Sequence, residues 1–170
     1  NTLFFNRTNS IYGIDLNYQQ SSNKILLVNG FDTRLYYVKG VKLRWNISSM
    51  FSYFMVYNNG TKKNTSEFLK TRDYNIVFSE AEPTISLQTN SVFRISLLYK
   101  YTDKQNKYGT LNEKTILHKM GTEIKYNILA KSSLVGRFSY IKVAYNAEEK
   151  TSLAFEMLEG LKIGQNYTWN

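Results

Sequence analysis

Residues 113–129 read EKTILHKMGTEIKYNIL, and this stretch decides the fold. Side chains alternate across an extended strand, so Ile116, His118, Met120, Thr122, Ile124, Tyr126 and Ile128 fall on one side. Leu117, Lys119, Gly121, Glu123, Lys125 and Asn127 fall on the other. One face is free of full charge and the opposite face carries three charged groups, Lys119, Glu123 and Lys125. At roughly 3.3 Å per residue and a tilt of about 40°, the span 116–128 rises on the order of 30 Å. That height matches the hydrocarbon core of a bilayer and exceeds the reach of ordinary strands, which run about 5–6 residues.

The same two-faced pattern recurs outward from this stretch. Strand A is expected over Ile11 to Gln20, with Tyr12, Ile14, Leu16 and Tyr18 on its apolar face and a turn at Ser21-Ser22-Asn23. Strand B follows over Lys24 to Leu35, and strand C begins after Lys39-Gly40 with Val41, Leu43, Trp45 and Ile47 opposed to Lys42, Arg44, Asn46 and Ser48. A Ser48-Ser49 turn leads into strand D, where Phe51, Tyr53, Met55 and Tyr57 share a face. Asn58 to Asn64 reads as the start of a polar loop reaching Lys70.

Strand E, Arg72 to Thr89, changes parity. Its apolar residues are even-numbered at Tyr74, Ile76 and Phe78 but odd-numbered at Ile85 and Leu87. Two readings fit, two strands with a turn at Pro83 or one strand with a β-bulge near Ser79 to Pro83; the bulge is preferred, because one extra residue moves every later side chain to the other face. Strand F spans Val92 to Thr102, and strand H keeps Leu134, Phe138 and Tyr140 together before losing phase after Ile141. Strand I, Thr151 to Leu158, leads through Gly160 and Gly164 into Tyr167-Thr168-Trp169, the start of a tenth strand.

With strand E whole, connections alternate. Ser48-Ser49, Asn90-Ser91 and Ala130 to Ser133 are short, whereas Asn58 to Lys70, Asp103 to Asn112 and Asn146 to Lys150 are long. This is the turn-and-loop rhythm of an outer-membrane barrel. The expectation is a single all-β unit over 1–170: an antiparallel up-and-down meander of nine long strands plus the start of a tenth, part of a transmembrane β-barrel incomplete at both ends.

Composition bounds the alternatives. The 170 residues are 42% hydrophobic, which argues against disorder, yet the apolar residues are dispersed by alternation and never run long enough for a transmembrane helix. Tyr supplies 14 residues, many at strand ends, where an amphipathic ring suits the boundary between hydrocarbon and headgroups. There is no cysteine, which excludes disulfides and thiolate chemistry. Asn-x-Ser/Thr tripeptides at Asn6, Asn46, Asn59, Asn64 and Asn166 are chance matches in a chain this rich in Asn, Ser and Thr. The net charge of +9 suits an anionic partner. Asn1 to Ser10 has no features of a leader peptide, which implies a processed or longer parent chain.

Charge assigns the faces. Basic side chains at the bilayer midplane cost about 2–4 kcal/mol each on the lipid side. Lys42, Arg44, Arg94, Lys119, Lys125 and Arg137, with Glu123, therefore belong to a lumen, and Leu43, Trp45, Ile95, Leu97, Ile124 and Tyr126 to the lipid-facing side. A soluble β-sandwich shares the alternation and is the competing architecture.

Seven stretches carry a likeness to known proteins: Leu3-Phe4-Phe5-Asn6-Arg7-Thr8, Asp15-Leu16-Asn17-Tyr18, Arg44-Trp45-Asn46-Ile47, Asp103-Lys104-Gln105-Asn106, Glu123-Ile124-Lys125-Tyr126-Asn127, Glu156-Met157-Leu158-Glu159-Gly160-Leu161 and Asn166-Tyr167-Thr168-Trp169-Asn170. Together they resemble the C-terminal region of large outer-membrane and cell-surface proteins of Bacteroidota, most specifically from Met157 onward. The resemblance implies an outer-membrane barrel in a Gram-negative bacterium and brings no catalytic residue. The family continues past the Trp-Asn pair into final strands that this sequence lacks.

Catalysis finds little footing. His118, the only histidine, sits on the uncharged face and reads as an interfacial side chain. Glu80 with Glu82, and Glu148 with Glu149, read as solvated carboxylates before they read as Ca²⁺ ligands or an acid-base pair. Gly160 and Gly164 bracket a turn without the Lys-Ser/Thr of a phosphate loop. Aromatic and basic residues occupy opposite faces, which argues against a nucleic-acid groove. No cofactor, metal or enzymatic activity is expected. The expected role is a membrane anchor or pore, for transport or within a larger surface or secretion assembly, with bilayer lipid, lipopolysaccharide and further protein chains as partners; the alternative is a surface-exposed β-sandwich adhesion module.

Overall fold

The computed structural model describes residues 1–28, 30–89, 92–108, 113–128 and 132–146. They form one sheet of 8 strands in the order β1-β2-β3-β4-β5-β6-β7-β8, every neighbouring pair antiparallel. The strands are β1 Thr2–Phe5, β2 Tyr12–Leu27, β3 Gly30–Asn46, β4 Phe51–Ser66, β5 Tyr74–Thr89, β6 Phe93–Asn106, β7 Lys114–Ile128 and β8 Ser132–Asn146. A single 3-10 turn at Lys70–Arg72 interrupts the all-β pattern. Among the described residues β1 and β8 do not pair with each other, so the meander is an open sheet and not a closed barrel. Expected strand I and the Tyr167-Thr168-Trp169 start of a tenth strand lie outside the described residues.

Several sequence expectations need correction. No turn occurs at Ser21-Ser22-Asn23, because these residues pair with Tyr36, Leu35 and Arg34 in the middle of a hairpin whose connection is at residues 28–29. Expected strands A, B and C are therefore two strands, β2 and β3. The polar stretch Asn58 to Asn64 is not a loop either: β4 continues to Ser66, paired on both sides. β6 likewise runs through the expected loop at Asp103 to Asn106, and β8 holds its pairing past Ile141 to Asn146. Polar residues on both faces end a hydrophobic pattern without ending a strand, since backbone ladder bonds do not depend on side-chain polarity. The short N-terminal strand β1, paired with Asn17 to Ile14, was not anticipated.

β5 is one strand, but it contains no bulge. Its register with β4 holds step for step from Phe51↔Leu87 to Asn64↔Tyr74, and its register with β6 is the same on both sides of Pro83. Pro83 has no N–H, so pairing with β6 lapses only between Ala81 and Thr84. The parity shift has another origin, the chemistry of the two faces. Ile76 and Phe78 point to one face at one end of the strand, Ile85 and Leu87 to the other face at the other end.

The registers fix which side chains share a face. Every strand residue that is buried, including Gly13, Val38, Gly40, Gly60, Ile76, Phe78, Thr102, Lys104 and Thr115, lies on the same side. Side chains from neighbouring strands converge there, which makes that face the concave one. Crowding is tightest over two glycines. A methyl group at Gly60 would collide with the Tyr37 carbonyl oxygen and with the Phe78 ring, and one at Gly40 with the amides of Asn17 and Asn58.

The concave core sits at the end of the sheet bearing the connections 28–29, 67–73 and 107–113, here termed the upper end. Val38, Ile76 and Phe78 are at most 5% exposed, and burying each contributes about 1.5–3 kcal/mol. The Tyr36 ring stacks on Phe78 with centroids 6.2 Å apart, and Lys62 Nζ lies 5.9 Å and 5.6 Å from those two rings. Connection 67–73 is latched over this core. The Ser66 amide donates to Asp73 Oδ1 at 2.6 Å, Tyr108 Oη donates to Asp73 Oδ2 at 2.9 Å, and Arg72 lies 3.6 Å from Asp32. The Asp73 carboxylate accepting that hydrogen bond raises the Tyr108 phenol above its ordinary pKa, with desolvation adding to the shift.

Candidate functional site: a two-faced sheet with a basic concave wall

On the convex face, the end bearing the connections 47–50, 90–92 and 129–131, the lower end, carries a continuous apolar band. It runs through Tyr12 to Tyr18 in β2, Val41 to Trp45 in β3, Phe51 to Tyr57 in β4 and Ala81 to Leu87 in β5. It continues through Phe93 to Tyr101 in β6, Ile116 to Ile128 in β7 and Leu134 to Tyr140 in β8, taking alternate residues. No Asp, Glu, Lys or Arg interrupts it. These side chains are open to the surroundings: Trp45, Leu97, Ile124, Tyr126, Phe138 and Tyr140 are all between 42% and 55% exposed. Ile11, Ile47, Met50 and Val92, also exposed, prolong the band past the strand ends.

Aromatic rings edge the band. Tyr12, Trp45 and Tyr126 lie along its lower margin, and Tyr18, Tyr57 and Tyr101 along its upper margin. At the upper margin Tyr18 and Tyr37 meet edge to face at 5.3 Å, and Lys39 Nζ lies 5.5 Å from the Tyr37 ring. His118 belongs to this margin. Its Nδ1 is 2.7 Å from Tyr99 Oη and its ring is 5.3 Å from that of Tyr101. Above the margin polar residues enter the convex face, among them Gln20, Ser22, Thr33, Asn59, Thr61, Lys63, Ser79, Asp103 and Gln105, beside the exposed Leu26, Phe31 and Leu35.

The register brings Lys42, Arg44, Arg94, Lys119, Lys125 and Arg137 together on the concave face, and Leu43, Trp45, Ile95, Leu97, Ile124 and Tyr126 on the convex face. Within the basic set the roles differ. Arg44 Nη2 donates to the carbonyl oxygens of Arg7 at 3.1 Å and Asn9 at 2.8 Å, clamping the β1–β2 turn across Gly13. Arg137 Nε donates to Glu123 Oε2 at 2.7 Å. Lys100, absent from the sequence-derived set, lies 3.8 Å from Glu80 and 3.9 Å from Glu82. That lysine is shared between the two carboxylates across the strands. Among the described residues no group of three or more His, Cys, Asp or Glu side chains could hold a metal ion. Glu148 and Glu149 lie outside the described residues.

Two features escaped sequence reasoning because they depend on pairing between distant strands. One is the buried Glu113, to which Asn106 Nδ2 donates at 2.9 Å and Tyr145 Oη at 3.3 Å. The other is the direct opposition of like charges, Arg94 to Lys125 and Lys100 to Lys119.

The chain matches no family model, no curated protein and no solved structure. No helix among the described residues is long and apolar enough to cross a membrane, which bears on helices only and leaves strands untouched.

Proposed function

We propose that this sheet is part of the wall of a transmembrane β-barrel in the outer membrane of a Gram-negative bacterium, serving as a membrane anchor or pore. The observation that carries the reading is the convex band, apolar, uninterrupted by charge and bordered by aromatic rings. Exposed apolar patches of this extent mark a surface meant for another medium, and such a band with aromatic girdles is the outward pattern of outer-membrane barrels. Hydrocarbon is the medium proposed, and Lys39 above Tyr37 suits the level of lipid or lipopolysaccharide headgroups. The polar segments of the strands above the band extend into water. Sheet edges are not tolerated in hydrocarbon, so the edges at β1 and β8 are met by further strands of the parent chain or by partner chains of a larger surface or secretion assembly. No catalytic role is part of the reading.

A β-sandwich adhesion module, whose second layer would cover the band, is the competing reading, and the open edges together with the small core of Val38, Ile76 and Phe78 favour it. Detergent separates the two. The membrane reading expects the purified chain to aggregate in plain buffer and to become monodisperse in detergent micelles. A monodisperse species in plain buffer overturns it.

A further inference from the structure

Charge on the concave face is unbalanced along the β6–β7 pair. Lys100 and Arg137 face carboxylates, but among the described residues Arg94, Lys119 and Lys125 have none within ion-pair distance. Arg94 stands directly opposite Lys125, and Lys119 directly opposite Lys100. Like charges opposite one another on neighbouring strands destabilise a sheet, and a bound anion relieves that repulsion.

The space for an anion lies between the two like-charge pairs. Gly121 supplies no side chain there, and a Cβ built on it meets nothing nearer than Leu98 Cβ at 3.7 Å. The resulting trough has a volume of about 430 Å³, and its lining includes Arg94, Leu98, Lys119, Gly121 and the ion pair of Glu123 with Arg137. Ser86 and Ser96 add hydroxyls 2.9 Å apart on its wall. Arg94 and Lys119 therefore stand at the two ends, with Ser96, Leu98, Gly121 and the mutually paired Glu123 and Arg137 between them. Arg94 and the position facing Lys119 are separated by roughly 20 Å of strand. Long side chains reaching inward from both ends leave room for several carbon atoms, more than a single small ion fills.

We infer that this trough binds an elongated organic dianion, an α,ω-dicarboxylate held with one carboxylate at Arg94 and the other at Lys119. The inference rests on the concave face being the wet wall of the proposed barrel. Calorimetric titration of the detergent-folded full chain with suberate, succinate and inorganic phosphate tests it. Suberate is expected to bind, and succinate and phosphate to bind about tenfold more weakly because neither spans both ends. Arg94→Gln and Lys119→Gln are each expected to weaken suberate about tenfold. Lys63→Gln, which removes the same charge from the convex face, is expected to leave it unchanged, and Gly121→Leu to abolish binding by filling the floor without altering charge. Circular dichroism of each variant reports whether the sheet is intact. Absence of suberate binding to the intact sheet, equal binding of all three anions, or equal weakening by Lys63→Gln overturns the inference. The membrane reading fails separately, in the detergent dependence, and a chain monodisperse in plain buffer leaves the same titration able to decide the trough.

Discussion

The two halves of β5 are built for opposite surroundings. Ile76 and Phe78 turn inward to a core at most 5% exposed, while Asn75, Val77 and Ser79 face out. Past Pro83, Ile85 and Leu87 point outward at 39% and 40% exposure, while Ser86 and Gln88 occupy the concave side. The whole sheet repeats this division. Its upper end buries an apolar core on the concave side and has polar residues mixed with Leu26, Phe31 and Leu35 on the convex side, whereas its lower end carries its apolar band on the convex side. One continuous strand can serve both because backbone pairing is indifferent to which face is apolar.

The largest effect that would sharpen the contrast is expected at the upper core. Phe78→Ala opens a cavity over Gly60 and is expected to cost about 3–5 kcal/mol, read as a lower urea midpoint for the detergent-folded chain. An outward residue of the lower end should behave differently. Leu97→Arg is expected to lose about 2–4 kcal/mol in lipid vesicles, measured as the folded fraction at fixed urea. The matched substitution on the same face of the upper end, Thr61→Arg, is expected to stay within about 0.5 kcal/mol. Equal costs at Leu97 and Thr61 would break the comparison.

A smaller effect concerns the upper latch. Tyr108 has its pKa raised by donating to Asp73, so its folded value lies above its unfolded one. Its contribution is complete below the ordinary phenol range, near pH 10, and fades as pH climbs through the raised folded value. Urea midpoints are expected to fall over that alkaline window in the parent chain, and Tyr108→Phe to remove this component of the fall.

The same division explains what the sequence made legible. β7 was readable from Lys114 to Ile128 because contrast between its faces persists along most of its length. The six basic and six apolar residues assigned to opposite faces follow from parity alone, which survives errors in strand boundaries. The misread turns at Ser21 to Asn23 and Asn58 to Asn64 lie in the upper half, where both faces hold polar groups and alternation loses its contrast. The supposed bulge in β5 was an inversion of polarity, which imitates a phase slip in a reading that assumes one solvent for the whole strand. Register between strands is written in no single segment. Neither the Arg44 clamp on the β1–β2 turn nor the facing pair Arg94 and Lys125 could be derived before pairing was known.

The most direct test of an outward face meeting acyl chains uses the absence of cysteine, which lets single spin labels be attached at will. Labels at Leu97→Cys, Ile124→Cys and Thr61→Cys, in the chain reconstituted into vesicles, are compared for collisions with oxygen, which concentrates in lipid, and with a water-soluble nickel chelate. Leu97 and Ile124 are expected to be open to oxygen and shielded from nickel, and Thr61 the reverse. Labels at Leu97 and Ile124 that are immobile and shielded from both reagents would place that face against a second protein layer and contradict the account.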